Sequence, residues 1–157
     1  MAQTSEHRPA ELESWPLKAR AGYLSVQLGD LVMRRVEAAL LPLGLKPREY
    51  DVMACILAGH GLSQQELSRS LGVYAPGLVG VIDGLERRGL VARQRSGQDR
   101  RRYVLSLTAA GASLLDQANA VVSALDARVF GILSASDKAA LEALLRQVLT
   151  AREVSEG

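Results

Sequence analysis

Cysteine is nearly missing from this chain. Cys55 is the only one in 157 residues, which excludes an intramolecular disulfide. Histidine is almost as scarce. His7 falls in a polar leader and His60 between two glycines, so a zinc-type site lacks its ligands, and neither metal nor cofactor is expected. Long hydrophobic runs are missing too: the most apolar-looking segment is interrupted by Arg20, Asp30, Arg34, Arg35 and Glu37, which excludes a membrane span. The opening "MAQTSEHRPAELES" has no signal-peptide pattern, and a cytoplasmic location is the expectation. There is also no nucleophile–base pairing, metal-ligand spacing or phosphate loop, so the chain is not expected to be an enzyme. What remains is 48% hydrophobic residues, enough for the core of one soluble globular domain, alone or with a helical extension.

Charge is present but unevenly spread. The total is +2, yet residues 85–105 hold seven arginines against Glu86 and Asp99, a local +5 that leaves the rest of the chain at −3. The stretch "RQRSGQDRRRYVLSLT", Arg93 to Thr108, carries five of those arginines around one glycine. A cationic strip on a slightly acidic protein is the electrostatic footprint of phosphate binding, with a solvated basic loop as the plainer alternative.

Apolar residues from Leu17 to Leu43 recur at steps of three and four, the period of a helix of about 25 residues that ends at Pro42 and Gly44. Pro47 suits the first turn of a second helix, which runs to Gly59. Ser63 and Glu66 form an S-x-x-E capping box for a short helix from 64 to about 70, closed by Gly72. A further helix from about 75 to 88 has Leu78, Val81, Ile82 and Leu85 as its inward stripe, and two short helices around a glycine-containing turn make a helix-turn-helix. After Gly89 the period changes, and "LVARQ" and "RYVLSLT" around "RSGQD" predict a two-stranded hairpin. Thr108 caps another long helix, and Ser134 with Asp137 begins the last one. Both chain ends are polar and without period, and are expected to fray.

The run from "LGLKPREYDVM" through "LERRGLVAR" to "LSLTAAG" resembles the MarR family of bacterial winged helix-turn-helix transcription regulators, over nearly the whole chain. The resemblance implies a mainly α fold with a small β-hairpin wing. It divides the chain into a tail (1–14), a first dimerisation helix (15–44), a winged helix-turn-helix DNA-binding domain (45–107), two further dimerisation helices (108–152) and a frayed end (153–157). It implies a homodimeric repressor on double-stranded DNA, released from a pseudo-palindromic operator by a small aromatic or anionic effector. The long apolar stripes at both ends of the chain agree, since a twofold partner would cover them. The competing reading is a winged-helix module that binds protein in place of DNA.

On this resemblance the helix 75–88 lies in a major groove, and Ser63, Gln64, Gln65, Tyr74, Ala75, Pro76, Gly77, Gly80, Gly84 and Arg87 make up that face and its approach. The wing is Arg93, Arg95, Gly97, Asp99, Arg100, Arg101 and Arg102. Arg95 and Arg100 reach DNA, while Asp99 orients Arg93 or Arg101, each of which has an internal ion pair as its alternative role. The helix departs from the family's usual polar face, because Gly77, Gly80 and Gly84 line one side and each costs roughly 1 kcal/mol of helix stability. Close approach of backbone to DNA is the functional reason for such a face, and tolerance in a supported helix is the plain one. Cys55 is expected as a buried structural thiol. Trp15, Arg20, Tyr23 and Tyr50 are the residues that could line an effector cleft, or simply pack at the dimer seam.

Overall fold

The structure is a computed structural model that describes residues 20–59, 61–72, 76–95 and 103–155, with side chains as far as 151. Its elements in chain order are α1 (Ala21–Leu40), α2 (Pro47–Gly59), α3 (Gln64–Ser70), α4 (Pro76–Arg87), β1 (Val91–Arg95), β2 (Tyr103–Leu107), α5 (Ala109–Phe130) and α6 (Ala135–Ser155). The mainly α class with one hairpin is borne out. Among the described residues no single helix is long and apolar enough to cross a membrane.

Local chemistry sets most boundaries. α1 ends at Leu40, earlier than the apolar period suggests, because Pro42 has no N–H to continue the ladder. Leu41–Leu43 tighten into a 3-10 turn, and Gly44 closes it at φ 63°. The α3 capping box is complete, with Ser63 Oγ accepting from the Glu66 N–H while the Glu66 carboxylate accepts from the Ser63 N–H. Thr108 Oγ1 accepts from the Gly111 N–H at the start of α5, and Ser134 Oγ from the Asp137 N–H at the start of α6.

One aliphatic core joins the parts. Leu40 and Leu45 meet Val52, Met53 and Ile56 of α2, Leu67 of α3, Leu78, Ile82 and Leu85 of α4, Val91 and Leu105 of the hairpin, and Leu115 and Ala118 of α5. Cys55 packs against this core but is half-buried, less enclosed than expected. β1 and β2 pair antiparallel, with Val91 opposite Leu107 and Arg95 opposite Tyr103. The Leu105 N–H also bonds to the Leu62 carbonyl, fastening the hairpin to the turn before α3. From the other side, the Arg88 guanidinium donates to Glu49 and to the Gly44 carbonyl, tying the end of α4 to the start of α2.

α5 begins where the hairpin ends, and it can do so because residue 111 is glycine. A Cβ there would lie 2.0 Å from the Leu90 carbonyl oxygen, a backbone atom already bonded to the Thr108 N–H. Gly111→Ala must push α5 off the hairpin base, and overpacking of this kind costs about 1–3 kcal/mol. A thermal melt should show a clearly lowered Tm, whereas an unchanged Tm would mean that the helix start shifts freely.

Candidate nucleic-acid interface

α4 presents two unlike sides. Leu78, Ile82 and Leu85 are fully buried, while Pro76, Gly77, Val79 and Gly80 face outward. A methyl group built on Gly80 or Gly84 meets no atom within 4 Å, so packing inside this chain does not demand either glycine. The outward side is a low ridge of backbone, interrupted by Val79 at 40% exposure. Sequence reasoning passed over Val79; as an exposed apolar residue between Gly77 and Gly80 it suits a thymine methyl.

The hairpin face bearing Val91, Arg93 and Arg95, with Leu107, Leu105 and Tyr103 opposite them, grades from core to solvent. Val91 and Leu105 are buried, Arg93 is half-buried, and Arg95 and Tyr103 are exposed. The Arg95 guanidinium sits 6.0 Å from the centre of the Tyr103 ring, at the outer limit of a cation–π contact. Gly97, Asp99, Arg100, Arg101 and Arg102, like Tyr74, Ala75 and Trp15, lie outside the described residues.

Arg93 has its own carboxylates. One guanidinium nitrogen donates to Asp83 Oδ1 at 2.6 Å and another to Glu86, both on α4. The hydrogen bond to Asp83 and the charge of Glu86 both raise its pKa, which holds the guanidinium in its cationic form. Of the two roles expected for Arg93, the internal ion pair is the one formed among the described residues, with Asp83 and Glu86 of α4 as its partners; Asp99, its expected orienter, lies outside them. Asp83 and Glu86 went unassigned in the sequence. The available signal was their spacing of three, which puts both on one helical face, and their place beside the turn that brings β1 back along α4.

Ser63, Gln64, Gln65, Glu66, Arg69 and Tyr103 line a groove of about 470 Å³ between α3 and β2. The Ser63 hydroxyl is committed to the cap, which leaves Gln64, Gln65 and the exposed Arg69 as polar groups facing the groove. Arg87 is exposed at the end of α4, its Nε donating to the Asp83 carbonyl. Arg20, Tyr23 and Tyr50 are not gathered on one chain. Tyr50 donates to Asn119 of α5 at 2.9 Å and packs on the core near Leu40, whereas Tyr23 lies seventeen residues before Leu40, roughly 26 Å away along a straight helix.

A short helix, a turn and a second helix with one free side, followed by a cationic hairpin, define a winged helix-turn-helix domain. The chain belongs to the MarR family, whose model matches residues 43–102. It is 36% identical over 130 residues to the HTH-type transcriptional repressor Rv2887 of Mycobacterium tuberculosis, covering 83% of this chain and 94% of the relative. The structure of that protein in complex with p-aminosalicylic acid is similar at a TM-score of 0.68 and 35% identity, over 83% of this chain and 98% of the other. CouR of Rhodococcus jostii RHA1, bound to p-coumaroyl-CoA, is similar at a TM-score of 0.77 and 31% identity, over 84% and 93% of the two chains. A structure of CouR on a 23-mer DNA duplex matches at a TM-score of 0.77 and 29% identity, over 92% and 99%.

Removing Arg93 leaves two carboxylates unpaired beside the α4 ridge, where they would repel phosphate. Arg93→Ala should therefore weaken binding to a duplex selected from a randomised pool by about tenfold, roughly 1.4 kcal/mol. Adding Asp83→Asn and Glu86→Gln to that variant should restore most of the loss. A deficit that persists in the triple variant, with a flatter salt dependence, would make Arg93 a phosphate contact instead.

Proposed function

We propose that the protein is a cytoplasmic homodimeric repressor that holds a pseudo-palindromic operator and leaves it when a small molecule binds. The observation that carries the DNA-binding part is the α4 ridge beside the wing: a helix side whose glycines have no packing duty within the chain, flanked by the exposed Arg87 and Arg95. On this reading each α4 lies in a major groove. Gly77, Gly80 and Gly84 let the backbone close on the duplex, with Pro76, Arg87, Gln64 and Gln65 around them and Tyr74 and Ala75 at the approach. Arg95, with Arg100, Arg101 and Arg102, follows phosphates over the flanking minor groove, Gly97 turns the tip, and Asp99 orients a tip arginine. The repressor relatives and the CouR–DNA complex support the assignment.

Dimerisation is supported by what α1 and α6 leave uncovered. Leu24, Leu28, Leu141, Leu144, Leu145 and Val148 line an apolar groove of about 550 Å³, and Val148 is 71% exposed in the single chain. Surfaces of this kind mark interfaces. Release by a small molecule is supported by the ligand-bound structures of Rv2887 and CouR.

Light scattering should give twice the 16.8 kDa chain mass at micromolar concentration. On a selected duplex, Arg95→Ala should flatten the dependence of log K on log salt by about 0.9 per arginine, roughly 1.8 per dimer. A slope equal to that of the wild type would remove Arg95 from the interface, and failure to select any duplex would favour a protein-binding winged module. Gly80→Ala should stabilise α4 by up to roughly 1 kcal/mol yet weaken DNA binding, because its methyl group holds the backbone off the duplex. Equal affinity in this variant would show that the ridge does not touch DNA.

A further inference from the structure

Val79 is the one large apolar side chain that α4 leaves exposed; Leu78, Ile82 and Leu85 are buried and Val81 is partly covered. It belongs neither to the core nor to the residues packed against it. From Pro76 to Gly80 the outward surface consists of the proline ring, two glycines and the Val79 methyl groups, so the valine stands above its neighbours. Branching at Cβ holds those methyls in one direction on a helix, and little rotamer freedom is lost when they are covered. Steps of four and then three lead from Val79 to Asp83 and Glu86, the side of α4 that Arg93 reaches from β1. Val79 therefore marks the wing side of the ridge, near the start of the helix.

Its chemistry selects among bases. Of the four base edges in a major groove, only that of thymine carries a methyl group. Valine has no side-chain donor or acceptor. Set against a purine N7, a guanine O6 or a cytosine amino group, it would strip water from a polar atom and return no hydrogen bond. Set against thymine, it removes water from two apolar surfaces at once. Position agrees with chemistry, because the first residues of a recognition helix are those that meet base edges, and Val79 is the fourth residue of α4.

We propose that Val79 reads one thymine in each half-site by packing its methyl groups on the C5 methyl of the base. Gly77 and Gly80 bring the helix backbone low enough for so short a side chain to reach. This role rests on the DNA-binding function proposed above, and it adds a base-specific contact to a helix start that is short of hydrogen-bonding side chains. The same valine disfavours guanine, adenine and cytosine at that position.

Deoxyuridine pairs as thymidine does and lacks only the C5 methyl, so it isolates the contact. The full-length protein is titrated by fluorescence anisotropy against a duplex selected from a randomised pool, and against copies in which each thymine in turn is replaced by deoxyuridine. At one thymine of each half-site the replacement should weaken wild-type binding about fourfold. Val79→Ala should bind the thymine duplex about as weakly as the wild type binds the deoxyuridine one, and should show no preference between the two at that position. Alanine at an exposed helical site favours the helix, and a thermal melt confirms that the variant folds. The proposal is overturned if no deoxyuridine replacement weakens wild-type binding. It is equally overturned if Val79→Ala keeps the thymine preference, since another group would then be sensing the methyl. Either result on a tightly bound duplex leaves DNA binding standing and removes only the reader, whereas failure to select any duplex removes both.

Discussion

The ion pair from β1 to α4 is the contact on which the DNA-facing surface depends. A two-stranded hairpin has little stability of its own, and this one leaves the core after Val91 and Leu105, so something beyond hydrophobic contact must fix its direction. Arg93 does so by taking Asp83 and Glu86 together, one helical turn apart. The same contact pairs the two carboxylates on the side of α4 next to the ridge. Without it the wing would keep the backbone bond from Leu105 to Leu62 but lose its side-chain tie to α4, and two carboxylates would stand unbalanced beside the ridge. The pairs are partly exposed, so their contribution to stability is small and screened by salt. Their role is orientation and charge balance.

Close approach is the second requirement, and two sets of glycines meet it differently. Gly111 is forced by the Leu90 carbonyl within the chain, whereas Gly80 and Gly84 answer to nothing within it. On the function proposed above, glycines on this face let the backbone lie against a surface outside the chain, whereas plain tolerance in a supported helix would leave them without such a duty. The proposed duplex is such a surface.

Much of the fold was legible because its signals are local. Pro47, the Ser63–Glu66 box, Thr108 and the Ser134–Asp137 pair each act within a single turn, and the starts of α2, α3, α5 and α6 follow from them. The change of period after Gly89 likewise located the hairpin. Less legible was whatever depends on two elements meeting. The partners of Arg93 are seven and ten residues back along the chain, and only the turn at Gly89 brings them beside it. Arg20, Tyr23 and Tyr50 looked like one cleft by residue type, but a straight α1 carries Tyr23 away from Tyr50. Cys55 belongs to a mostly buried face, yet its neighbours leave it half-covered.

The central claim is a division of labour: Arg93 holds the wing to α4, while the glycine ridge and Arg95 meet DNA. Nuclear magnetic resonance of the labelled protein, titrated with a selected duplex, addresses all three at once. The account predicts that the amide signals of Gly80 and Gly84 and the Nε–H signal of Arg95 shift as DNA saturates, while the Nε–H of Arg93 keeps its position. A large shift at Arg93 with the two glycine amides unmoved would contradict it.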